Sequence, residues 1–144
     1  MKARIRRATL TEDRKKAFSI RLRVFVKEQG VPREIELDSD DAHAIHLLAC
    51  ANGRAVGTAR VVLKRKAAKI GRMAVLKTYR GRGVGRELLK RAVKAARQKG
   101  AKRIYLHAQV PVIVFYEKLG FRCAGRVFLE AAIPHRKMVL ETRE

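Results

Sequence analysis

A glycine-rich turn between a predicted strand and a predicted helix constrains this chain more than any other feature. Residues 79–85 read Tyr-Arg-Gly-Arg-Gly-Val-Gly, between an apolar run, Ile70–Leu76, and a strongly periodic helix, Val84–Gly100. Glycine lets the backbone approach a ligand closely. The N-terminus of a helix adds unpaired N–H groups and the positive end of its dipole. The arrangement therefore predicts a phosphate-binding turn.

The spacing of the glycines excludes two common phosphate-binding motifs. In a Rossmann fingerprint, G-x-G-x-x-G, the third glycine would fall where Arg86 stands. A Walker A loop would end in Gly-Lys-Ser or Gly-Lys-Thr, which this sequence lacks. The remaining pattern is R-x-x-G-x-G, from Arg80 to Gly85. Taken alone, such a run also fits a basic loop that only turns the chain.

A second motif lies downstream of the turn. Residues 114–121 read Val-Phe-Tyr-Glu-Lys-Leu-Gly-Phe and follow a predicted strand, Ile104–Ala108. Phe115 and Leu119 are four residues apart and share a helix face, and Gly120 suits a helix C-cap. The ordered pair R-x-x-G-x-G and F-Y-x-x-x-G-F resembles the GNAT superfamily of acetyl-CoA-dependent N-acetyltransferases, and the resemblance spans nearly the whole chain.

Periodicity and turn signals predict one domain over residues 1–144, without a linker or an internal repeat. The first helix is predicted from Thr9 or Thr11 to about Val26, with Thr9 and Glu12 as a capping box. The predicted strands span residues 2–8, 46–51, 54–63, 68–76 and 103–109, with two more near 122–128 and 136–140. This order predicts an α/β mixed sheet with helices on both faces. The resemblance implies the GNAT fold, a mostly antiparallel twisted sheet with splayed middle strands.

The resemblance also assigns roles to individual residues around acetyl-CoA. It implies that the backbone at Met73, Ala74 and Val75 pairs with the acyl-pantetheine arm and supplies a donor for the oxyanion of a tetrahedral intermediate. It implies that Tyr116 protonates the departing thiolate. Gln109 stands where many family members have an asparagine that bonds the pantetheine. The pyrophosphate is expected on the turn, at Arg80, Gly81, Arg82, Gly83, Val84, Gly85 and Arg86.

The general base is left open by the sequence. Several GNAT enzymes carry a glutamate on the strand before the turn, whereas Arg72 and Met73 occupy that region here. Histidine has a suitable pKa for the task. The candidates are His107, Glu28, His46 and His135, with His107 and Glu28 retained as catalytic residues beside Tyr116. For each of the three histidines, the alternative is a purely structural role. A further alternative is that the acceptor is an amine of modest pKa, which needs no protein base.

Other segments resemble the small bacterial ElaA-type branch of the superfamily. They are Arg-Val-Phe-Val-Lys-Glu-Gln at 23–29, Ala-Ile-His-Leu at 44–47, Leu-His-Ala-Gln at 106–109 and Ile-Pro-His at 133–135. In GNAT folds the segment after the first helix lines the acceptor site. The resemblance therefore implies that a cationic amine, on a small molecule or a protein, is held by Glu28, Asp38, Asp41 and His46. The alternative is that these acids pair with the chain's own lysines and arginines.

The chain is highly basic, with 35 lysine and arginine residues against 13 acidic residues and a formal net charge of +22. The basic residues are spread widely, whereas a nucleic-acid footprint is usually concentrated on one face. We expect non-specific binding to nucleic acid at low salt. Two alternatives to an acetyltransferase remain open. One is a basic nucleic-acid- or polyanion-binding protein, and the other is a catalytically silent acyl-CoA binder on a supercharged or engineered scaffold.

Composition limits the remaining possibilities. A hydrophobic fraction of 47% argues against a disordered polycation. No apolar run is long enough for a membrane span, and the histidines and cysteines lack metal-ligand spacing, so neither a membrane association nor a metal is expected. Cys50 and Cys123 are expected as reduced thiols in a cytoplasmic protein. A monomer or a homodimer is expected.

Overall fold

The computed structural model describes residues 2–140, which form a seven-stranded mixed sheet with helices packed on both faces. The predicted α/β architecture is confirmed. The strands are β1 Arg4–Arg7, β2 Ile45–Ala51, β3 Arg54–Lys64, β4 Ala67–Val75, β5 Arg103–Gln109, β6 Phe121–Glu130 and β7 Ile133–Leu140. The helices are α1 Thr11–Arg21, α2 Arg33–Glu36, α3 Val84–Gln98 and α4 Ile113–Glu117. A π-helix, Leu22–Glu28, continues α1, and 3₁₀ turns lie at Ser39–Ala42, Lys77–Tyr79 and Val110–Val112.

Helix α1 begins at Thr11, one of the two predicted starts, but without the predicted cap. Its N-cap is Leu10, no side chain caps the helix, and the capping box of Thr9 and Glu12 does not form. The Ala8 N–H donates to the His46 carbonyl at 2.8 Å, which holds the chain beside β2 and delays the helix to Thr11. At its other end α1 is followed by a π-helix instead of continuing as α-helix to Val26.

The strands run in the order β1-β2-β3-β4-β5-β7-β6, and β4 and β5 are the parallel pair of this otherwise antiparallel sheet. The apolar face of α3 is Val84, Leu88, Leu89, Ala92 and Ala96, all buried in the larger core. This spacing is the one that the sequence predicts for an amphipathic helix. The helix α1 packs on the opposite face, where Ala17 and Ile20 meet Leu48 and Ala74.

Two irregularities shape the centre of the sheet. Thr58 pairs with Ala74 and Arg60 pairs with Gly71, so β4 has one residue more than β3 between these pairs. The extra residue forms a β-bulge, where Arg72 has a φ of 50°. The ladder between β4 and β5 stops after the pair of Ile70 with Leu106. Beyond it the two strands separate, and the edge of β4 that faces β5 is free of strand pairing. The predicted splayed middle strands are therefore present.

Candidate active site

The predicted phosphate-binding turn connects β4 to α3. Gly81 and Gly83 have φ values of 75° and 83°, a left-handed region that other residues enter only with strain. Gly83 is the N-cap of α3, and its carbonyl accepts the first helical hydrogen bond, from the Glu87 N–H at 3.1 Å. The amides of residues 84–86 precede that first donor and remain available to a ligand, as expected at a helix N-terminus.

Arg80 anchors the turn to the rest of the protein. Its Nε donates to the Val75 carbonyl at 2.8 Å, and one terminal nitrogen lies 3.0 Å from each carboxylate oxygen of Glu28. Arg80 thus links the end of β4 and the end of the π-helix to the turn. Glu28 is occupied by this ion pair and lies outside the residues that line the central cavity.

The separation of β4 and β5 opens a cavity of about 830 Å³. Its lining includes the expected β4 residues Met73, Ala74 and Val75 together with Gln109 and Tyr116. Of the turn, it includes Arg80, Gly81, Gly83, Val84, Gly85 and Arg86 but not Arg82. Arg82 lies over the Tyr79 ring, with its guanidinium carbon 5.7 Å from the ring centroid. One cavity therefore joins the helix N-terminus to the unpaired edge of β4.

Tyr116 lies on α4 with its hydroxyl directed at β4. The hydroxyl oxygen is 4.0 Å from the Met73 sulfur, and the ring packs edge-on against Phe115 and Phe121. Burial raises the pKa of Tyr116 to about 12, because the phenolate would lose its hydration. Tyr116 is therefore a protonated hydrogen-bond donor at neutral pH.

Gln109 makes a contact between two segments that line the cavity. Its side-chain nitrogen donates to the side-chain oxygen of Gln29 at 2.8 Å. Gln29 directly follows the π-helix, and Gln109 ends β5. The two amides join the segment after the first helix to the splayed strand.

His107 belongs to a cluster built from three strands. Its Nδ1 lies 3.0 Å from Glu130 Oε1, and His135 Nε2 lies 3.6 Å from the other oxygen of that carboxylate. Burial lowers the pKa of His107, and the hydrogen bond with Glu130 opposes that shift only in part. An ionised carboxylate only accepts hydrogen bonds, so Glu130 fixes the proton of His107 on Nδ1 and leaves Nε2 as an acceptor. All three residues line the cavity.

Asp38 and Asp41, two of the acids expected to hold the acceptor, belong to an ion-pair network with buried arginines. The buried guanidinium of Arg21 donates to Glu36 Oε2 at 3.0 Å and to Asp41 Oδ1 at 2.7 Å. Arg60 donates to Asp38 at 2.7 Å and to Asp41 at 3.1 Å. Asp41 lies outside the cavity lining, whereas Asp38 and Glu36 belong to it. Asp38 and Asp41 therefore pair with the chain's own arginines, which is the alternative that the sequence left open.

Within this network the pKa values of Asp41 and Glu36 shift in opposite directions. Burial alone would raise the pKa of Asp41, but its hydrogen bonds and charge interactions with Arg21 outweigh burial and lower it to about 2. Burial raises the pKa of Glu36 despite the opposing effects of Arg72 and Arg21. His46 also lies outside the cavity lining; burial lowers its pKa, and its Nε2 lies 2.9 Å from the Asp41 carbonyl. His46 is therefore a buried neighbour of the network.

The sequence patterns did not point to several charged residues that line the cavity, among them Glu130, Lys69 and Arg60. Glu130 comes last in β6, at the turn into β7, and the sheet order brings that turn beside β5. Lys69 and Arg60 face the cavity from neighbouring strands. None of the three belongs to a local motif. The available signal was the alternation along β4 and β5, which places Lys69 and His107 on the face opposite Ile70 and Leu106.

Comparison with known proteins identifies the family. The model of the Acetyltransferase (GNAT) family matches residues 8–121. The chain belongs to the GNAT acetyltransferase family. It is 40% identical over 129 residues to the uncharacterized N-acetyltransferase YjcF of Bacillus subtilis, covering 89% of this chain and 92% of YjcF. It is thus an acetyltransferase, and acyl transfer to an amine in general is the chemistry that the family supports.

Solved structures agree with the family and with the ElaA resemblance. An acyl-CoA N-acyltransferase from Pseudomonas aeruginosa superposes with a TM-score of 0.84 at 30% identity, covering 97% of this chain and 99% of that one. Escherichia coli ElaA superposes with a TM-score of 0.84 at 27% identity and the same coverage. In a comparison of sequences, ElaA is 32% identical over 130 residues, which is 86% of this chain and 84% of ElaA.

Two further observations concern residues 2–140 alone. No helix in this part of the chain is both long and apolar enough to cross a bilayer. Within the same range, no three histidine, cysteine, aspartate or glutamate side chains converge as metal ligands would.

Proposed function

We propose that this GNAT protein transfers an acetyl group from acetyl-CoA directly to a primary amine of a small molecule or a protein. One observation carries the proposal: a single cavity is bordered by the N-terminus of α3, the unpaired edge of β4 and Tyr116. The helix N-terminus suits a pyrophosphate. The strand edge suits an extended arm that carries amide groups, and Tyr116 supplies a proton donor beside that edge.

In this proposal, the turn holds the pyrophosphate through its backbone. The amides of residues 84–86 donate, and Gly83 keeps the turn in a conformation that a side chain would strain. Arg86 adds positive charge from the cavity wall. Arg80 keeps a positioning role, since Val75 and Glu28 already accept its hydrogen bonds.

The free backbone groups of β4 then serve two purposes. They pair with the amides of the pantetheine arm, as a neighbouring strand would, and an N–H between Met73 and Val75 donates to the carbonyl oxygen as negative charge develops there. Such a preorganised donor is worth about 3–4 kcal/mol of transition-state stabilisation. Tyr116 donates its hydroxyl proton toward the leaving sulfur, and its raised pKa keeps that proton in place at neutral pH.

His107 is the base that the cavity supports best. Its lowered pKa keeps the ring neutral at pH 7, and Glu130 holds the proton on Nδ1, so Nε2 can accept a proton from the amine directly or through water. Glu28 serves this role poorly because its carboxylate is paired with Arg80. We therefore assign base catalysis to His107 and a positioning role to Glu130.

The first test is calorimetric titration with acetyl-CoA at moderate salt. ATP and a short DNA duplex serve as polyanion controls because the net charge of +22 favours any polyanion at low salt. We expect saturable one-to-one binding of acetyl-CoA that persists with added salt and exceeds both controls. Binding that follows phosphate charge alone and disappears with salt would contradict the proposal and favour polyanion binding.

The second test is release of CoA in the presence of a panel of primary amines. Tyr116→Phe should lower kcat by about 100-fold and leave acetyl-CoA binding intact, since a positioned general acid contributes at least that much. Tyr105→Phe is the matched control, because Tyr105 lies on β5 but outside the cavity lining. Full activity of Tyr116→Phe would refute the acid assignment. Tight acetyl-CoA binding without transfer to any amine would favour the catalytically silent binder.

A further inference from the structure

Lys69 is a half-buried cation on the cavity wall, and no other residue of the described range 2–140 forms an ion pair with it. It lies on β4, between Val62 of β3 and Tyr105 of β5 in the register of the sheet, and it lines the cavity. Within residues 2–140 its ammonium group makes no hydrogen bond and no ion pair, and burial lowers its pKa. A cation partly withdrawn from water with no directly bonded carboxylate is unfavourable, so a bound anion would stabilise it.

The other cations of the inner cavity are already neutralised. Arg60 is bound by Asp38 and Asp41, and Arg72 is bound by Glu36 and Asp38. Lys69 differs because Glu130, the carboxylate whose charge raises the pKa of Lys69, makes no ion pair with it and is itself hydrogen-bonded to His107. Among the described residues at this end of the cavity, Lys69 is thus the cation with unused binding capacity.

Two acidic side chains line the same cavity as Lys69. Glu130, half-buried, lies at the turn between β6 and β7, and Asp40, exposed, lies in the segment that follows α2. A ligand that carries one cationic and one anionic group matches this distribution. A carboxylate matches a single ammonium group better than a phosphate dianion does, because Glu130 and Asp40 would repel the second negative charge.

We propose that Lys69 binds a carboxylate of the acceptor, so that the natural acceptor is an amino acid or a related amine that carries a carboxylate. This inference rests on the acetyltransferase function proposed above and names its substrate class. In this arrangement Lys69 holds the carboxylate, and the amine end lies toward His107 and Glu130. Lys69 is then a specificity residue that takes no part in proton transfer.

The test compares amines that differ only in the carboxylate. Suitable pairs are phenylalanine with 2-phenylethylamine, leucine with isoamylamine, and 4-aminobutyrate with propylamine, with acetyl-CoA saturating. We expect kcat/KM to be about 10- to 100-fold higher for the carboxylate member of at least one pair, the range for a hydrogen bond to a charged group. Lys69→Met should abolish this preference through KM with little change in kcat, and Lys69→Arg should restore most of it.

Lys64→Met is the matched control, because it removes the same charge from an exposed position at the end of β3 outside the cavity. Equal rates within every pair, or the same loss for both members in Lys69→Met, would overturn the proposal. Equal effects of Lys69→Met and Lys64→Met on the preference for the carboxylate would also overturn the proposal. A preference for 2-aminoethylphosphonate over β-alanine would refute the carboxylate assignment.

A binding measurement separates this inference from the proposed function. The CoA-saturated protein is titrated with 3-phenylpropionate and with 3-phenylpropanol, which both lack an amine. Binding of the carboxylate alone, lost in Lys69→Met and kept in Lys64→Met, supports the subsite even if transfer fails. No binding of the carboxylate, or equal binding by the wild type and Lys69→Met, overturns it even if amines are acetylated.

Discussion

Replacing Arg21 by methionine should loosen the segment that borders the acceptor end of the cavity. The Arg21 side chain is 1% exposed and joins α1 to Glu36 and Asp41 through four hydrogen bonds of 2.7–3.1 Å. Methionine fills much of the same space but leaves the carboxylate of Glu36, 3% exposed, with Arg72 as its remaining partner. Removing one partner of a buried ion pair costs about 3–5 kcal/mol.

The lost interaction should affect the two substrates differently. Ile35, Glu36, Asp38 and Asp40 of this segment, residues 33–42, line the part of the cavity that we propose for the acceptor, whereas the turn before α3 is held separately by Arg80. We therefore expect Arg21→Met to raise the KM for the amine strongly and to leave acetyl-CoA binding nearly unchanged. Urea unfolding gives the free energy of unfolding, and calorimetry gives the affinity for acetyl-CoA.

Lys15→Met is the control for Arg21→Met, because Lys15 forms an exposed ion pair with Glu12 at 3.8 Å on the same helix. Exposed pairs of this kind contribute little, so its effect should be much smaller. If Arg21→Met unfolds at the same urea concentration as the wild type, the network does not hold the segment and the reasoning is refuted. Equal weakening of acetyl-CoA and amine binding would show that the two ends of the cavity are not held independently.

Three further predictions follow from single groups. Gly83→Ala should weaken acetyl-CoA binding about fivefold or more, because a φ of 83° costs a residue with a side chain about 1–2 kcal/mol; unchanged affinity in calorimetry would refute this. In a pH profile of kcat/KM, activity should fall as the pH drops through the lowered pKa of His107, and His107→Gln should lose that acid limb along with most activity. The pKa of Asp41 is depressed from 3.8 to about 2, so its contribution of about 2 kcal/mol is present above pH 3.8 and is lost as the pH falls toward 2. Urea unfolding between pH 5 and pH 2.5 should show this decline, and Asp41→Asn should flatten it.

Much of the fold was predictable because its signals are local. The apolar face of α3 follows from residues three and four apart, and the strands predicted at 46–51 and 54–63 are present as β2 and β3. The choice between Thr9 and Thr11 at the start of α1 was not predictable in the same way. Thr9 offers a capping side chain, but the hydrogen bond from Ala8 to β2 decides where the helix can begin.

The residues of the candidate site also divide into those with a local signal in the sequence and those whose partners lie far away in the chain. The phosphate-binding turn is a continuous segment, so its glycines and its place before α3 were visible in the sequence. Glu28 was equally visible, but its partner Arg80 is 52 residues away, and their ion pair occupies the carboxylate. Glu130 carried no signal, because its meeting with His107 depends on the order of β5, β7 and β6 in the sheet.

The sequence by itself determined the family, the alternation of strands and helices, and the turn that we propose for the pyrophosphate, since each rests on residues close together in the chain. Only the tertiary structure decided which charges neutralise one another and which remain free. Asp38 and Asp41 lie within ion-pair distance of arginines, whereas Lys69 lines the cavity without a partner among the described residues. The physical reason is that an ion pair depends on distance and burial, and both are set by how separate strands pack together.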